Sequence, residues 1–235
     1  MAAPPPSERA FLFDLDGVLV DTSAIVAAAW RRFATERGQQ IVDADLGARI
    51  FGRRTADILV DVFGVARPEA ESLAAAGLDD RSAEINAGTP LPEVPGAAAF
   101  VRRAHASAIP LALVSSASLA NVQLALGRLD LADAFRVVVH AGSVARGKPA
   151  PDPYRAAVEG LGVDPSVAVV FEDSRHGIAA GRAIGARCVA VATTEEPGAL
   201  AGADLVIDDF RGLDPLALLE RLPVVARPRT FRGDT

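Results

Sequence analysis

Several residue types are scarce in this chain of 235 residues, and each scarcity excludes something. The only cysteine, Cys188, cannot form an intramolecular disulfide, so nothing points to an oxidising compartment. The first nine residues lack the basic start and apolar stretch of a secretion signal. Residues 106–127 are uncharged, but Pro110 and several polar residues interrupt them, which favours strand, turn and helix over a membrane span. We therefore expect a cytoplasmic protein.

Positive charge is not in excess either, since the net charge is -6 and the pI is about 5.1. This balance argues against nucleic acid or an anionic membrane as a partner. Lysine is almost missing, because Lys148 is the only lysine among 24 basic residues. A single lysine in an arginine-rich chain indicates a chemical requirement at that position, with ordinary surface charge as the alternative.

Short apolar runs recur along much of the chain and have the character of buried strands. Helical segments separate most of them, and Asp152 followed by Pro153 is typical of a helix start with Asp152 as the N-cap. Strands that alternate with helices predict an α/β fold with a doubly wound, Rossmann-like parallel sheet covered on both faces. The predicted strands are residues 10–14, 111–114, 137–139, 167–171, 188–191 and 205–207.

The segment after the first strand differs from the rest. Residues 22–89 are rich in helical patterns and contain no convincing strand, and residues 88–96 are rich in proline and glycine, as a linker is. We therefore predict a small all-helical domain at 21–91, inserted after the first strand. The α/β core would comprise 1–20 and 92–235.

Polar side chains follow several of the predicted strands, at the point where each strand ends. Because the carboxyl ends of parallel strands meet at one edge of a sheet, where ligands bind in open α/β folds, these groups should converge. They include several carboxylates, two hydroxyls and the lone lysine. The candidates are Asp14, Asp16, Ser115, Ser116, Lys148, Glu172 and Asp173.

This combination suits phosphoryl transfer. Clustered carboxylates repel one another unless a cation neutralises them, and oxygen ligands without nearby histidine or cysteine favour Mg²⁺ over zinc. A lysine and a serine hydroxyl could hold phosphate oxygens while a carboxylate attacks phosphorus. The residues therefore predict a Mg²⁺ site that handles a phosphorylated small molecule.

Some of these groups could instead serve the fold alone. Asp16 precedes a glycine and could be a turn residue, and Glu172 with Asp173 could stabilise the start of the next helix. Ser115 and Ser116 compete for the phosphate role, with Ser115 favoured, and either hydroxyl could instead cap the following helix.

Four ordered motifs resemble those of the haloacid dehalogenase superfamily. They are residues 14–21 (DLDGVLVD), Ser115, residues 147–154 (GKPAPDPY) and residues 172–178 (EDSRHGI). The helical insertion resembles the small cap of the subgroup that contains β-phosphoglucomutases and sugar phosphatases. A monomer or a homodimer is expected.

The resemblance implies a role for each matching position. Asp14 would be the nucleophile, and Asp16 would protonate the leaving oxygen and then deprotonate the attacking water. Asp14, the backbone carbonyl of Asp16, and Asp173, with Glu172 as a further candidate, would hold Mg²⁺. Ser115 and Lys148 would bind the phosphoryl oxygens.

The reaction expected within this family is hydrolysis of small phosphate monoesters such as sugar or polyol phosphates. A β-phosphoglucomutase-like enzyme is the alternative, although Val26 and Thr55 stand where such mutases carry a histidine and an arginine. Arg53 and Arg54 are candidates for contacts with the substrate, or else solvated charges at a helix end. A non-catalytic binding protein is a third hypothesis, which the complete set of motif residues argues against.

Overall fold

A six-stranded parallel sheet forms the centre of the protein in a computed structural model that describes residues 9–78 and 91–222. The strand order is β3-β2-β1-β4-β5-β6, and neighbouring strands pair in parallel throughout. The strands are β1 (Ala10–Phe13), β2 (Leu111–Val114), β3 (Val137–Val139), β4 (Ala168–Glu172), β5 (Arg187–Val191) and β6 (Leu205–Ile207).

Helices cover both faces of this sheet, and a further group lies between β1 and β2 in sequence. They are α1 (Ser23–Glu36), α2 (Asp43–Asp45, which continues as a π-helical turn at Leu46–Ile50), α3 (Thr55–Phe63), α4 (Arg67–Ala75), α5 (Ala97–Ala106), α6 (Leu119–Leu129), α7 (Asp152–Leu161), α8 (Arg175–Ala183) and α9 (Pro215–Arg221). Short 3₁₀ turns lie at Ala141–Ser143, Pro165–Val167 and Pro197–Leu200.

Alternate residues of each strand enter different apolar clusters. Phe11 and Phe13 of β1 pack with α5, α6 and α9, whereas Ala10 and Leu12 pack with α7 and α8. A strand buried on both faces has no polar side to expose, which is why the strand sequences are continuously apolar. The predicted fold class is confirmed.

The predicted strand limits agree with the structure to within one residue, but one helix start was wrong. Asp152 does not cap α7, because Pro151 occupies the N-cap position and Asp152 is already helical. The carboxylate of Asp152 instead accepts hydrogen bonds of 3.1 and 3.0 Å from Arg146.

The helices α1 to α4 enclose an apolar cluster of their own. Trp30 stacks on Phe63 with ring centroids 5.5 Å apart, and Phe33 meets both rings edge-on. The described residues 21–78, called the helical insertion below, contain helices and loops but no strand. The predicted boundaries at 20, 21, 91 and 92 stay a prediction, because residues 79–90 lie outside the described part of the chain.

Among the helices described, none combines the length and apolar character needed to cross a lipid bilayer.

Candidate active site

The strand order changes direction at β1, which lies between β2 and β4. The chain runs outward from β1 through β2 to β3, then returns to the other side of β1 and runs outward through β4 to β6. Ligands of open parallel sheets bind at such a switch point, beyond the carboxyl ends of the strands. Asp14 follows β1 there, and Glu172 and Asp173 stand at the end of β4. One oxygen from each of these three carboxylates lies within 4.8 Å of the others.

Lys148 reaches this group from the loop before α7. Its Nζ lies 2.9 Å from Asp14 Oδ1 and 2.6 Å from Glu172 Oε1, and it donates a 2.9 Å hydrogen bond to the carbonyl of Val114. Lys148 is only 1% exposed, so the surface-charge alternative for the single lysine is wrong. Burial by itself lowers the pKa of Lys148, but the two carboxylates outweigh it and raise that pKa above its ordinary value.

Glu172 is held on both of its oxygens. Oε1 accepts a 2.6 Å hydrogen bond from the hydroxyl of Tyr154, and Oε2 accepts bonds of 3.2 Å from Ser174 Oγ and from the backbone N–H of Asp173. Sequence reasoning missed the contribution of Tyr154. The available signal was that the only tyrosine of the chain stands within the third motif.

The pKa values of Asp14 and Asp173 are both raised in this site. Burial, together with the charges of Glu172 and Asp16, raises the pKa of Asp14 to about 7 even though Lys148 lowers it. Burial also raises the pKa of Asp173 well above its usual range, and Glu172 and Asp14 add to the effect. A cation would relieve both, since it favours the ionised carboxylates.

Asp173 has one oxygen in use and one free for a ligand. Oδ2 accepts a short hydrogen bond from Thr194 Oγ1, whereas Oδ1 is buried and accepts no hydrogen bond from the described residues. A buried carboxylate oxygen without a donor is costly unless something else binds it. The all-oxygen donor set and this oxygen fit a hard divalent cation such as Mg²⁺.

Asp16 lies on the same loop as Asp14, and a residue of the insertion holds its side chain in place. Its Oδ1 accepts a 2.6 Å hydrogen bond from Thr22 Oγ1. Gly17 then turns the chain with φ +79°, and a Cβ placed on it would lie 1.9 Å from Asp173 Oδ2. Only glycine allows this loop to approach Asp173 so closely, so a turn at Asp16 and a chemical role for it are compatible.

The two serines after β2 have different contacts. Ser115 is buried, and its Oγ accepts a 3.0 Å hydrogen bond from the backbone N–H of Ala117. Ser116 Oγ donates a 2.9 Å bond to the carbonyl of Gly52 in the helical insertion. The hydroxyl that caps α6 belongs to Ser118, so the capping alternative for Ser115 and Ser116 is wrong.

The two adjacent arginines of the insertion, Arg53 and Arg54, also have different partners. Arg54 Nε and Nη2 bind Asp57 at 2.8 and 3.2 Å, while Nη1 and Nη2 donate to the carbonyls of Val144 (3.0 Å) and Ala145 (3.1 Å). It therefore ties the insertion to the loop that leads to Lys148. Arg53 instead lines the site cavity and forms a short ion pair with Asp61.

A cavity of about 170 Å³ lies between the strand ends and the helical insertion. The α/β core supplies a polar wall to it, and the insertion supplies a wall in which α1 is prominent. The core residues on this wall include Asp14, Asp16, Ser116, Asp173 and Thr194.

A doubly wound parallel sheet with buried carboxylates and a lysine at its switch point is the arrangement of an α/β enzyme. The family model of haloacid dehalogenase-like hydrolases matches residues 8–185. The chain therefore belongs to the haloacid dehalogenase-like hydrolase family, which confirms the resemblance seen in the motifs.

Named relatives agree with this family. The chain is 33% identical over 205 residues to validoxylamine A 7'-phosphate phosphatase of Streptomyces hygroscopicus subsp. limoneus, covering 85% of this chain and 92% of the relative. It is 31% identical over 206 residues to β-phosphoglucomutase of Bacillus subtilis, covering 85% and 88%. The predicted enzyme class is confirmed as a hydrolase of this family, and the first relative's name supports a phosphatase.

The fold is also that of a solved relative. A crystal structure of CbbY from Rhodobacter sphaeroides in complex with phosphate superimposes with a TM-score of 0.76 at 28% identity, covering 90% of this chain and 99% of that one.

Proposed function

We propose that this protein is a Mg²⁺-dependent phosphatase that hydrolyses small phosphate monoesters, such as sugar or polyol phosphates, in the cytoplasm through a phosphorylated Asp14. The observation that carries the proposal is the buried arrangement in which Lys148 bridges Asp14 and Glu172 beside Asp173. The named relatives act on phosphorylated small molecules, which supports the substrate class.

The chemistry assigns a different task to each group. A carboxylate oxygen of Asp14 attacks phosphorus, the ester P–O bond breaks, and Asp16 gives its proton to the departing alkoxide. Water then attacks the same phosphorus, Asp16 takes the proton of that water, and the bond between phosphorus and Asp14 breaks. The ammonium of Lys148 is within reach of Asp14 to balance charge on the phosphoryl oxygens, with Ser115 as a further ligand for them.

Asp14, Asp173 and the backbone carbonyl of Asp16 are the proposed Mg²⁺ ligands. The bound ion would neutralise the carboxylates and the phosphate so that one anion can approach another. Glu172 lies within the same group, but its oxygens already have protein partners. We assign it mainly to holding Lys148 against Asp14.

A phosphomutase is the second candidate, because a relative with that name is 31% identical. The insertion residues at the corresponding positions favour hydrolysis, since Val26 and Thr55 both line the cavity and neither is ionisable. A panel of sugar, polyol and short-chain phosphates separates the two candidates. Released phosphate indicates hydrolysis, and conversion of a hexose 1-phosphate to its 6-phosphate indicates a mutase.

The nucleophile is tested with Asp14→Asn and a generic aryl phosphate. We expect turnover to be abolished because an amide cannot form the phosphorylated intermediate, and we expect EDTA to stop the wild-type enzyme. Asp133→Asn, which changes an exposed carboxylate of the core, should leave turnover intact. Full activity in a folded Asp14→Asn protein would contradict the mechanism.

A further inference from the structure

One face of α1 forms an apolar wall over the candidate site. Ile25, Ala29 and Phe33 are spaced by one helical turn, Val26 and Trp30 lie beside them, and all five line the cavity. Trp30 is fixed by its stack on Phe63 in the core of the insertion. Most of the others are only half-buried, which leaves apolar surface facing the cavity.

Ile25 and Ala29 line the cavity without being part of an apolar core, as expected for a binding surface. Neither belongs to any of the three apolar clusters formed by the described residues, whereas Trp30, Val26 and Phe33 all belong to the cluster of the insertion. Ile50, Phe51 and Ile58 extend the same wall from the π-helical turn and α3. Ile25 and Ala29 therefore present apolar surface to a ligand in the cavity rather than to the interior of the insertion.

The hydroxyl groups around the cavity are mostly committed to other partners. Thr22 donates to Asp16, Ser23 to Asp21, Ser116 to the carbonyl of Gly52, and Thr194 to Asp173. Thr55 is the other hydroxyl side chain among the described lining residues. Since a hydroxyl has one proton to donate, these four groups can offer a substrate only acceptor lone pairs.

We propose that, among the small phosphate monoesters of the proposed function, the enzyme prefers those whose alcohol presents an apolar face to α1, as a deoxygenated or alkyl alcohol does, over their fully hydroxylated counterparts. This inference rests on the proposed phosphatase function and narrows its substrate class. A hydroxyl pressed against Ile25 or Ala29 loses its water and gains no partner there.

Three charged residues of the insertion also line the cavity, Arg32 and Glu36 on α1 and Arg53 before α3. Arg53 is the one whose guanidinium has a buried nitrogen without a partner among the described residues. Its Nε is buried and makes no hydrogen bond with the described residues, although other guanidinium nitrogens bind Asp61 and the carbonyl of Arg49. The substrate class therefore includes alcohols with a single acceptor within reach of Arg53. This group can select an orientation without requiring several hydroxyls.

The decisive measurement compares cyclohexyl phosphate with inositol 1-phosphate in the Mg²⁺-loaded enzyme, with phosphate release as the readout. Both alcohols have a six-carbon ring, and they differ in their ring hydroxyls. We expect kcat/KM to be higher for cyclohexyl phosphate by about tenfold or more, since each unpartnered buried hydroxyl is costly.

Three results would overturn the inference. Equal or better turnover of inositol 1-phosphate would reject it while leaving the phosphatase function in place. So would no turnover of cyclohexyl phosphate in an enzyme that still hydrolyses 4-nitrophenyl phosphate. Absence of turnover with all three esters would reject the phosphatase function and the substrate class together.

A matched pair of variants locates the effect on α1. Ile25→Asn adds a hydrogen-bonding group to the cavity wall, and Ala28→Asn adds the same group on an exposed position of the same helix. We expect Ile25→Asn to shrink the preference for cyclohexyl phosphate about tenfold, and Ala28→Asn to retain it. An unchanged preference in a folded Ile25→Asn protein would show that this wall does not select the substrate.

Discussion

The two walls of the cavity differ in the kinds of side chain that form them and in how those side chains are held. On the core wall, polar groups are buried and fixed by other polar groups, as Asp14 is by Lys148 and Asp173 by Thr194. On the insertion wall, apolar side chains such as Ile25 and Ala29 project from a helix, alongside charged side chains such as Arg53. Under the proposed function, the core would carry the chemistry and the insertion would select the leaving group.

The difference also has a structural origin. Asp14 and Asp173 directly follow buried strands, so the sheet fixes the positions of their backbones. The insertion residues depend instead on how α1 packs against α3, through a cluster separate from the two clusters that cover the sheet. A wall of this second kind can change its specificity by substitution while the chemistry is preserved.

The largest expected effect comes from removing the charge on which the core wall depends. Lys148→Met keeps a long side chain but leaves Asp14 and Glu172 buried without their cation. We expect a loss of about 3–5 kcal/mol in the free energy of unfolding and of about 10²–10³-fold or more in kcat. Urea denaturation and phosphate release measure the two effects.

Arg155→Met is the matched control for this change, because Arg155 is an exposed cation on α7. It should retain both stability and turnover. Wild-type turnover by Lys148→Met would show that the core wall does not need its ammonium group.

A smaller effect concerns pH and Mg²⁺. Asp14 has a folded-state pKa of about 7, above its ordinary 3.8, so the folded protein retains a proton that the unfolded chain has lost. The free energy of unfolding of the metal-free protein should therefore fall as the pH rises from the unfolded-state pKa of Asp14 to its folded-state pKa. The loss is complete above about pH 7. Added Mg²⁺ should raise Tm more at high pH than at low pH, because the ion competes with the proton.

Thermal unfolding of the wild type and Asp14→Asn over this pH range measures the contribution. His176 acts in the opposite sense, since burial and Arg53 lower its pKa, so the difference between the two proteins is the informative quantity. Identical pH slopes in the two proteins would contradict a raised pKa at Asp14.

The smallest expected effect tests how the two walls are joined. Arg54→Ala removes the bonds to Val144 and Ala145, and we expect kcat/KM to fall about tenfold because the insertion is less firmly placed over the site. Arg67→Ala is the control, since Arg67 binds the same Asp57 within the insertion. Trp30 is the single tryptophan and lines the cavity. A change in its fluorescence on adding phosphate therefore also measures how the insertion is placed over the core. Equal effects from both variants would assign the loss to Asp57 alone.

The core wall could be predicted from the sequence to a large extent. Asp14, Lys148, Glu172 and Asp173 meet as expected, because apolar strands and the parallel-sheet rule place their ends together. The hydrogen bond from Tyr154 was not predicted, since the orientation of a helical side chain toward a strand end follows from tertiary packing.

The insertion wall could not be predicted in the same way. The sequence indicated helices there but not which face of α1 turns toward the site. The sequence does not distinguish Arg53 from Arg54, yet Arg53 lines the cavity and Arg54 joins the insertion to the core. Adjacent residues on a loop before a helix diverge in direction, and periodicity carries no information about that.

The placement of Lys148 also matters for protein chemistry at the bench. Its amine is the only lysine amine of the chain, and it is enclosed between two carboxylates. Reagents that acylate or alkylate lysine should therefore leave the folded protein unmodified at this residue and react once the strand ends separate. Mass spectrometry of that single modification would then count molecules whose site has opened.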